Sequence, residues 1–207
     1  MERTVAEILL GIKAVKLRAD PPFRWASGML SPIYIDNRML MSYPAERKTI
    51  VNCLANVIKG MGIKADVIAA VATSGIPWAA WVAADLEKPM IYVRPKPKDH
   101  GLENLIEGRI EPGQNAVVIE DLVSTGGSSV SVVKTIREAG GKADNCLAIF
   151  SYEFRKAIDN FKEAKCRLIT LTNFSTLAQV ATEMGFIKKD EKETILEWSK
   201  DPDNWRK

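Results

Sequence analysis

Apolar residues along the chain fall into two kinds of block, and the alternation between them predicts the architecture. Val5, Ile8, Leu9, Ile12 and Val15 recur at helical spacing, and Asp20-Pro21-Pro22 ends that helix. A second helix opens at Pro44, with Ile50, Cys53, Leu54, Val57 and Ile58 on its apolar face, and Gly60 and Gly62 close it. Between the two, residues 23–38 mix aromatics with Ser27-Gly28 and Ser31-Pro32, which suggests a short hairpin-like excursion. From there, short apolar runs at 66–71, 90–93, 117–119, 146–150 and 167–171 read as strands. Helical stretches at 77–86, 129–139 and 154–161 separate them, and two weaker helices follow near 177–184 and 192–200.

Apolar strands alternating with helices predict an α/β fold, a mostly parallel sheet flanked by helices. No internal repeat or low-complexity linker interrupts the pattern, so 1–207 is expected to form a single domain. One stretch breaks the rhythm. Between the strand ending at Val93 and the one starting at Val117, no period is visible, and connections of that length are usually functional lids or disordered.

Composition narrows the functions open to such a fold. The 207 residues suffice for one domain that buries roughly 70% of its unfolded surface. Lys and Arg number 29 against 26 Asp and Glu, a net charge of +3. That balance is too even for a nucleic-acid footprint, so any anion must be handled locally. Cys53, Cys146 and Cys166 are scattered and His100 is the single histidine, so no four-ligand zinc site is readable. Isolated cysteines suit a reducing compartment. The N-terminus has no signal-peptide core, and no apolar run reaches the ~18–20 residues of a membrane span. A cytoplasmic protein with no membrane partner is expected.

The chemistry concentrates at 117–129. Val117-Val118-Ile119 leads into Glu120-Asp121, and Leu122-Val123-Ser124-Thr125-Gly126-Gly127-Ser128 leads into a helix predicted from Ser129. In a parallel sheet, ligands sit beyond the carboxyl ends of the strands, where these groups fall. The glycines let the backbone approach a ligand, and Thr125, Ser128 and Ser129 supply hydroxyls. The following helix offers free N–H groups, so together they form a cradle for one phosphate. Two carboxylates beside a phosphate would repel it unless they address another part of the ligand. Vicinal ribose hydroxyls are suitable donors, and a bound Mg²⁺ offsets the repulsion further. A 5-phosphoribosyl group satisfies both halves of the site. The alternative is a strand end with solvated acids and a helix cap. No G-x-x-x-x-G-K-[ST] or G-x-G-x-x-G sequence competes with this reading.

The irregular segment 94–111 begins Arg94-Pro95-Lys96-Pro97-Lys98-Asp99-His100-Gly101, three fixed cations and the histidine together. Such charges suit a departing diphosphate in a closed site. The prolines stiffen the stem, and Gly101 and Gly108 allow a hinge, as a lid requires. Its alternative is a solvated charged loop, with Asp99, Glu103, Glu107 and Glu111 diluting the basic character.

Residues 117–129 resemble the phosphoribosyl diphosphate (PRPP) signature of the type I phosphoribosyltransferases. Segment 94–111 resembles the mobile catalytic loop of the orotate phosphoribosyltransferases, an R-x-K-x-K-x-H-G arrangement. Residues 23–38 are similar to the F-x-x-x-S-G-x-x-S-P-x-Y region of that family, which forms a small N-terminal hood over the base within 1–40. Residues 171–205, with Trp198 and Trp205, resemble the C-terminal helices of bacterial members. The resemblance thus spans nearly the whole chain. It implies a pentosyltransferase that moves the phosphoribosyl group of PRPP to orotate, giving orotidine 5′-monophosphate and diphosphate on the way to UMP. It implies Mg²⁺ held mainly through PRPP, with no protein metal ligand. It also implies a homodimer in which the 94–111 loop is shared between subunits.

Carried over by position, Arg94, Lys98, His100, Glu120, Asp121, Leu122, Val123, Ser124, Thr125, Gly126, Gly127 and Ser128 bind PRPP. Lys98, His100 and Asp121 are catalytic, and Ser124 also contacts orotate. The chain departs from some relatives at Ala26 and Ser74, where they carry lysine, and at Pro95, where some place the lysine matched here by Lys96. Arg155 lies near, but not clearly in register with, an arginine used by some members. Two other functions stay open on this sequence: a salvage phosphoribosyltransferase for another base, and a non-catalytic PRPP-sensing regulator.

Overall fold

The computed structural model describes residues 1–18, 20–25, 28–96 and 105–205. The chain begins with helix α1 (Glu2–Gly11), which buries Val5, Ala6, Leu9 and Leu10. The helix stops four residues short of Val15. Lys13 takes φ 59°, and the N–H groups of Lys13 and Ala14 return to the carbonyls of Leu10 and Leu9. Val15 instead opens strand β1 (Val15–Leu17), so the apolar spacing that placed it on the helix is a coincidence of a strand residue facing the same core.

Strands β2 (Phe23–Arg24), β3 (Leu30–Ser31) and β4 (Ile33–Ile35) follow. β1 pairs antiparallel with β4 and β2 with β3, which turns the expected excursion into two small two-stranded sheets. A 3₁₀ helix (Asn37–Ser42) then leads into α2 (Pro44–Gly60), where Pro44 occupies the first turn as predicted.

The remaining strands are β5 (Val67–Val71), β6 (Met90–Val93), β7 (Ile106–Glu107), β8 (Asn115–Val123), β9 (Lys142–Ser151) and β10 (Arg167–Asn173). They form one six-stranded sheet in the order β10-β9-β8-β5-β6-β7, parallel except for the edge strand β7. The helices between and after them are α3 (Gly75–Asp85), α4 (Gly127–Glu138), α5 (Arg155–Glu163), α6 (Phe174–Glu183) and α7 (Lys189–Lys200). Among the described residues no helix is long and apolar enough to cross a membrane.

Side chains of β8 alternate between two apolar layers. Val117 and Ile119 join the layer holding Leu9, Leu54, Trp78, Phe174 and Trp198. Ala116 and Val118 join the layer holding Val133, Ile136, Cys146 and Phe161. Each such side chain contributes about 1.5–3 kcal/mol on burial, so the strand is held firmly from both sides.

Two strand lengths decide where a ligand can enter. Pairing between β5 and β8 ends at Ala70 and Ile119, whereas β8 and β9 stay paired to Val123 and Ser151. Strand β8 is therefore nine residues long, far beyond the predicted 117–119, and carries Glu120 and Asp121 within its ladder. Past Ile119 its flank on the β5 side lies open. Helix α4 also starts earlier than predicted, at Gly127.

The aperiodic stretch after Val93 contains a short hairpin stem. Val93 pairs with Ile106 and Tyr92 with Glu107, and Arg94 N–H donates to the Leu105 carbonyl at 2.9 Å. A two-residue strand is too short to leave a readable pattern. Residues 97–104, including Lys98 and His100, lie outside the described residues.

Candidate active site

Beyond the end of β5 lies a cleft of about 310 Å³, walled by residues 35–38, 71–74 and 120–122 together with Ser128. Its floor depends on one close approach. A Cβ on Gly75 would sit 2.5 Å from the Ile119 carbonyl oxygen, so only glycine lets this turn press against β8. The Ala72–Thr73 peptide in that turn is cis. Ser74, at the N-cap of α3, lines the cleft. The first-turn N–H groups of α3 thus begin at the cleft wall, where an anion is favoured.

Opposite stands the acid pair. Glu120 is only 6% exposed. Its Oε1 accepts from Asp121 N–H at 3.1 Å, and its Oε2 lies 3.5 Å from the donating Ser129 hydroxyl. Burial pushes both carboxyls above their ordinary range. The two carboxyls titrate as a pair, and their mutual repulsion adds to the burial that raises Glu120. Arg38 also favours the charged form of Asp121. Arg38 is itself fixed by Asp36, with Nε to Oδ1 at 2.7 Å, and its hydrogen bond holds the Asp36 carboxyl below the usual range. The main-chain oxygen of Asp121 accepts from Asn37 Nδ2 at 2.7 Å.

The turn after β8 has the expected character. Gly126 takes φ +76°, and a Cβ there would meet the Phe161 ring at 2.9 Å. Asn160 Nδ2 donates to the Thr125 carbonyl at 2.8 Å and fixes the turn from α5. Helix α4 opens Gly127-Ser128-Ser129 with no acid in its first turn, which keeps its N-terminus favourable for phosphate. Val123 lies within this stretch, but its side chain is buried in the core. Only its backbone faces outward chemistry, and its carbonyl already accepts from Tyr152 N–H.

A second space of about 270 Å³ adjoins the cleft, sharing Ile35 and Leu122 with it. Its other lining residues are Arg24, Trp25, Tyr34, Ser124 and Tyr152. This slot rests on an aromatic stack. The Trp25 ring lies 5.1 Å from Tyr152 and 5.6 Å, edge-on, from Trp198. Trp25 Nε1 donates to the Ile33 carbonyl at 3.3 Å, and Trp198 Nε1 to the Leu30 carbonyl at 2.9 Å. Helix α7 thereby holds the N-terminal hood in place. Burial pushes the Tyr152 phenol well above its usual value, so it remains a neutral wall.

A third space, about 250 Å³, shares Val71, Ala72 and Ser128 with the cleft and brings in Arg94, Pro95 and Ser131. Arg94 Nη1 lies 3.6 Å from Glu107 Oε1 across the hairpin stem. The structure thus gathers Arg94, Glu120, Asp121, Leu122, Ser124 and Ser128 around three connected spaces. Lys98, His100, Ala26 and Ser27 lie outside the described residues. Arg155 does not line the slot; it pairs with Asp159 at 3.2 Å on the surface of α5.

Sequence reasoning missed Arg24, Asn37, Arg38 and Tyr152 as parts of the site. Only the Asp36-Asn37-Arg38 run, polar residues directly after an apolar strand, offered a local signal. Among the described residues no group of three or more His, Cys, Asp or Glu assembles to hold a metal ion. Any Mg²⁺ here would take most of its ligands from substrate oxygens and water, as that ion commonly does.

Comparison with known proteins agrees with this geometry. Residues 39–179 match the family model of the phosphoribosyl transferase domain. The chain is 46% identical to an orotate phosphoribosyltransferase from Coxiella burnetii, over 98% of this chain and 97% of that one. It is 50% identical to an orotate phosphoribosyltransferase from Enterococcus faecalis, over 99% and 98%. Among solved structures, an orotate phosphoribosyltransferase from Aeropyrum pernix superposes with a TM-score of 0.75 at 28% identity, covering 89% of this chain and 99% of that one. The chain therefore belongs to the phosphoribosyltransferase family, within the orotate phosphoribosyltransferases.

Proposed function

We infer that this chain catalyses transfer of the 5-phosphoribosyl group of PRPP to orotate, yielding orotidine 5′-monophosphate and diphosphate. The observation that carries this reading is the run of three connected spaces: an aromatic slot, an acid-walled cleft with a hydroxyl-rich turn, and a recess bordered by Arg94. They correspond in order and chemistry to a planar base, a ribose phosphate and a diphosphate.

In this reading, 1–207 acts as one phosphoribosyltransferase domain with the hood and first helix in 1–40. Thr125, Gly126, Gly127 and Ser128, with backbone from Leu122 to Ser124, hold the 5′-phosphate against the start of α4. Glu120 and Asp121 accept hydrogen bonds from the ribose hydroxyls. A ring nitrogen of orotate forms the bond to C1 as the C1–O bond to diphosphate breaks. The electron pair leaves with diphosphate, and the ring N–H proton is released. The ribose passes through an oxocarbenium-like state, and the negative charge of Asp121 favours it. Arg94, Lys98 and His100 neutralise the leaving group, and Ser124 contacts orotate. When bound, Mg²⁺ would supply charge neutralisation at the diphosphate, and Glu120 and Asp121 would help to hold it by fixing the substrate that carries it. The chain works as a cytoplasmic homodimer, with the 94–111 loop lent to the neighbouring subunit.

A spectroscopic assay of orotate consumption with PRPP, with and without Mg²⁺, tests the reading, and uracil and hypoxanthine serve as competing bases. Mg²⁺-dependent loss of orotate is expected. Product from uracil or hypoxanthine but none from orotate would overturn the base assignment.

A further inference from the structure

Orotate differs from uracil by one carboxylate, so selecting it calls for N–H or cationic donors at the base slot, and a guanidinium supplies both. Among the described residues lining that slot, Arg24 is the one charged side chain; the others are Trp25, Tyr34, Ile35, Leu122, Ser124 and Tyr152. Other arginines of the hood and its surroundings are committed elsewhere. Arg18 stacks over the Phe23 ring at 4.5 Å, Arg38 is paired with Asp36 in the neighbouring cleft, and Arg155 is paired with Asp159.

Arg24 sits at the exposed mouth of the slot, on β2, whose pairing with β3 fixes its register opposite Leu30. Its Nη1 donates to the Gly28 carbonyl at 3.1 Å, which anchors the guanidinium within the hairpin. A guanidinium has five N–H donors in a planar fork, so one bond to a main-chain oxygen still leaves the geometry for a carboxylate. The other described lining residues are neutral, and among them no acid competes for that charge.

We propose that Arg24 is the specificity-determining residue for the carboxylate of the base, pairing with it at the mouth of the aromatic slot and so selecting a 6-carboxylated pyrimidine over the uncharged ring. This rests on the orotate reading above. The arginine acts on binding of the base and has no part in handling PRPP.

The test is steady-state kinetics of wild type, Arg24→Gln and Arg24→Lys with orotate and with uracil, each at varied PRPP. Loss of a charge-assisted pair corresponds to about a 10- to 100-fold rise in KM for orotate in Arg24→Gln. Use of uracil and KM for PRPP should stay near wild type, and Arg24→Lys should recover part of the loss. A twofold or smaller change in orotate KM in Arg24→Gln overturns the proposal. So does an equal loss with uracil or PRPP, since that marks general damage to the hood. Failure of the wild type to consume orotate would instead remove the underlying base assignment, so the two failures are distinct.

Discussion

Asn37 and Asp121 stand 84 residues apart in the chain, yet Asn37 Nδ2 donates to the main-chain oxygen of Asp121 at 2.7 Å. Asn37 is 1% exposed and belongs to the 3₁₀ helix that follows the hood; Asp121 belongs to the central strand. The bond ties the segment that follows the small N-terminal sheets to the strand that carries the acid pair. Asn37→Ala leaves a buried carbonyl without its donor, at a cost of about 1–3 kcal/mol. Urea unfolding should show that loss, and KM for PRPP should rise as the acid pair loses its backing. Unchanged stability with unchanged PRPP kinetics would sink this role.

The first residue of α3 tolerates no side chain. Gly75→Ala forces a methyl against the Ile119 carbonyl, and overpacking of this kind costs about 1–3 kcal/mol. Because the turn before it walls the cleft, PRPP binding should weaken more than orotate binding does. Isothermal titration with each substrate checks the difference, and equal weakening of both would count against it.

Protonation of the acid pair predicts a particular pH dependence. Folded Glu120 retains its proton above the usual value near 4.5, whereas the unfolded chain releases it there. Between those two values the native state binds more protons, so its contribution to stability falls as pH rises through the window. Glu120→Gln removes that fall while keeping an oxygen for the Asp121 N–H. Melting temperatures of the two proteins should therefore diverge in favour of the variant as pH increases from mildly acidic to neutral. Parallel curves would show that Glu120 ionises normally. Turnover in the variant should be strongly reduced at every pH.

Trp198 couples the C-terminal helix to the base slot through its bond to Leu30 and its edge-on contact with Trp25. Trp198→Ala should cost about 3–5 kcal/mol and raise KM for orotate before that for PRPP. Thermal denaturation and two-substrate kinetics test both parts. A variant as stable as wild type would show that the hood stands without this support.

Sharing of the lid between subunits can be read from mixed dimers. Lys98→Ala and Asp121→Asn homodimers should each be nearly inactive. A heterodimer of the two regains one intact site if the loop crosses to its neighbour, and none if it serves its own subunit. Wild-type turnover in Lys98→Ala or His100→Ala alone would remove the lid from the mechanism.

Much of this arrangement was legible before any coordinates. Met90–Val93 matches its predicted strand, and the parallel strands announced themselves because burial on both faces demands unbroken apolar runs. The glycine turn between β8 and α4 is readable because its parts are contiguous, from Ser124 to Ser128. The full length of β8 is not readable, since Glu120-Asp121 interrupts the apolar run and the strand continues to Val123 through pairing with β9. Val15 reads as helical in the sequence because a core-facing strand residue can mimic helical spacing over one turn. Arg24 and Tyr152 escaped notice for a different reason: they meet only after the hood folds back across the end of β9, and no local pattern records that meeting.

The two small sheets of the hood share no strand with the six-stranded sheet. The walls that these small sheets lend to the aromatic slot therefore sit on hydrogen-bond ladders separate from the one that carries Glu120 and Asp121. A fold organised this way can exchange its nucleobase preference by altering a detachable cover while the transfer machinery beneath remains intact. That makes the hood a natural point of modularity for redesign toward other heterocycles.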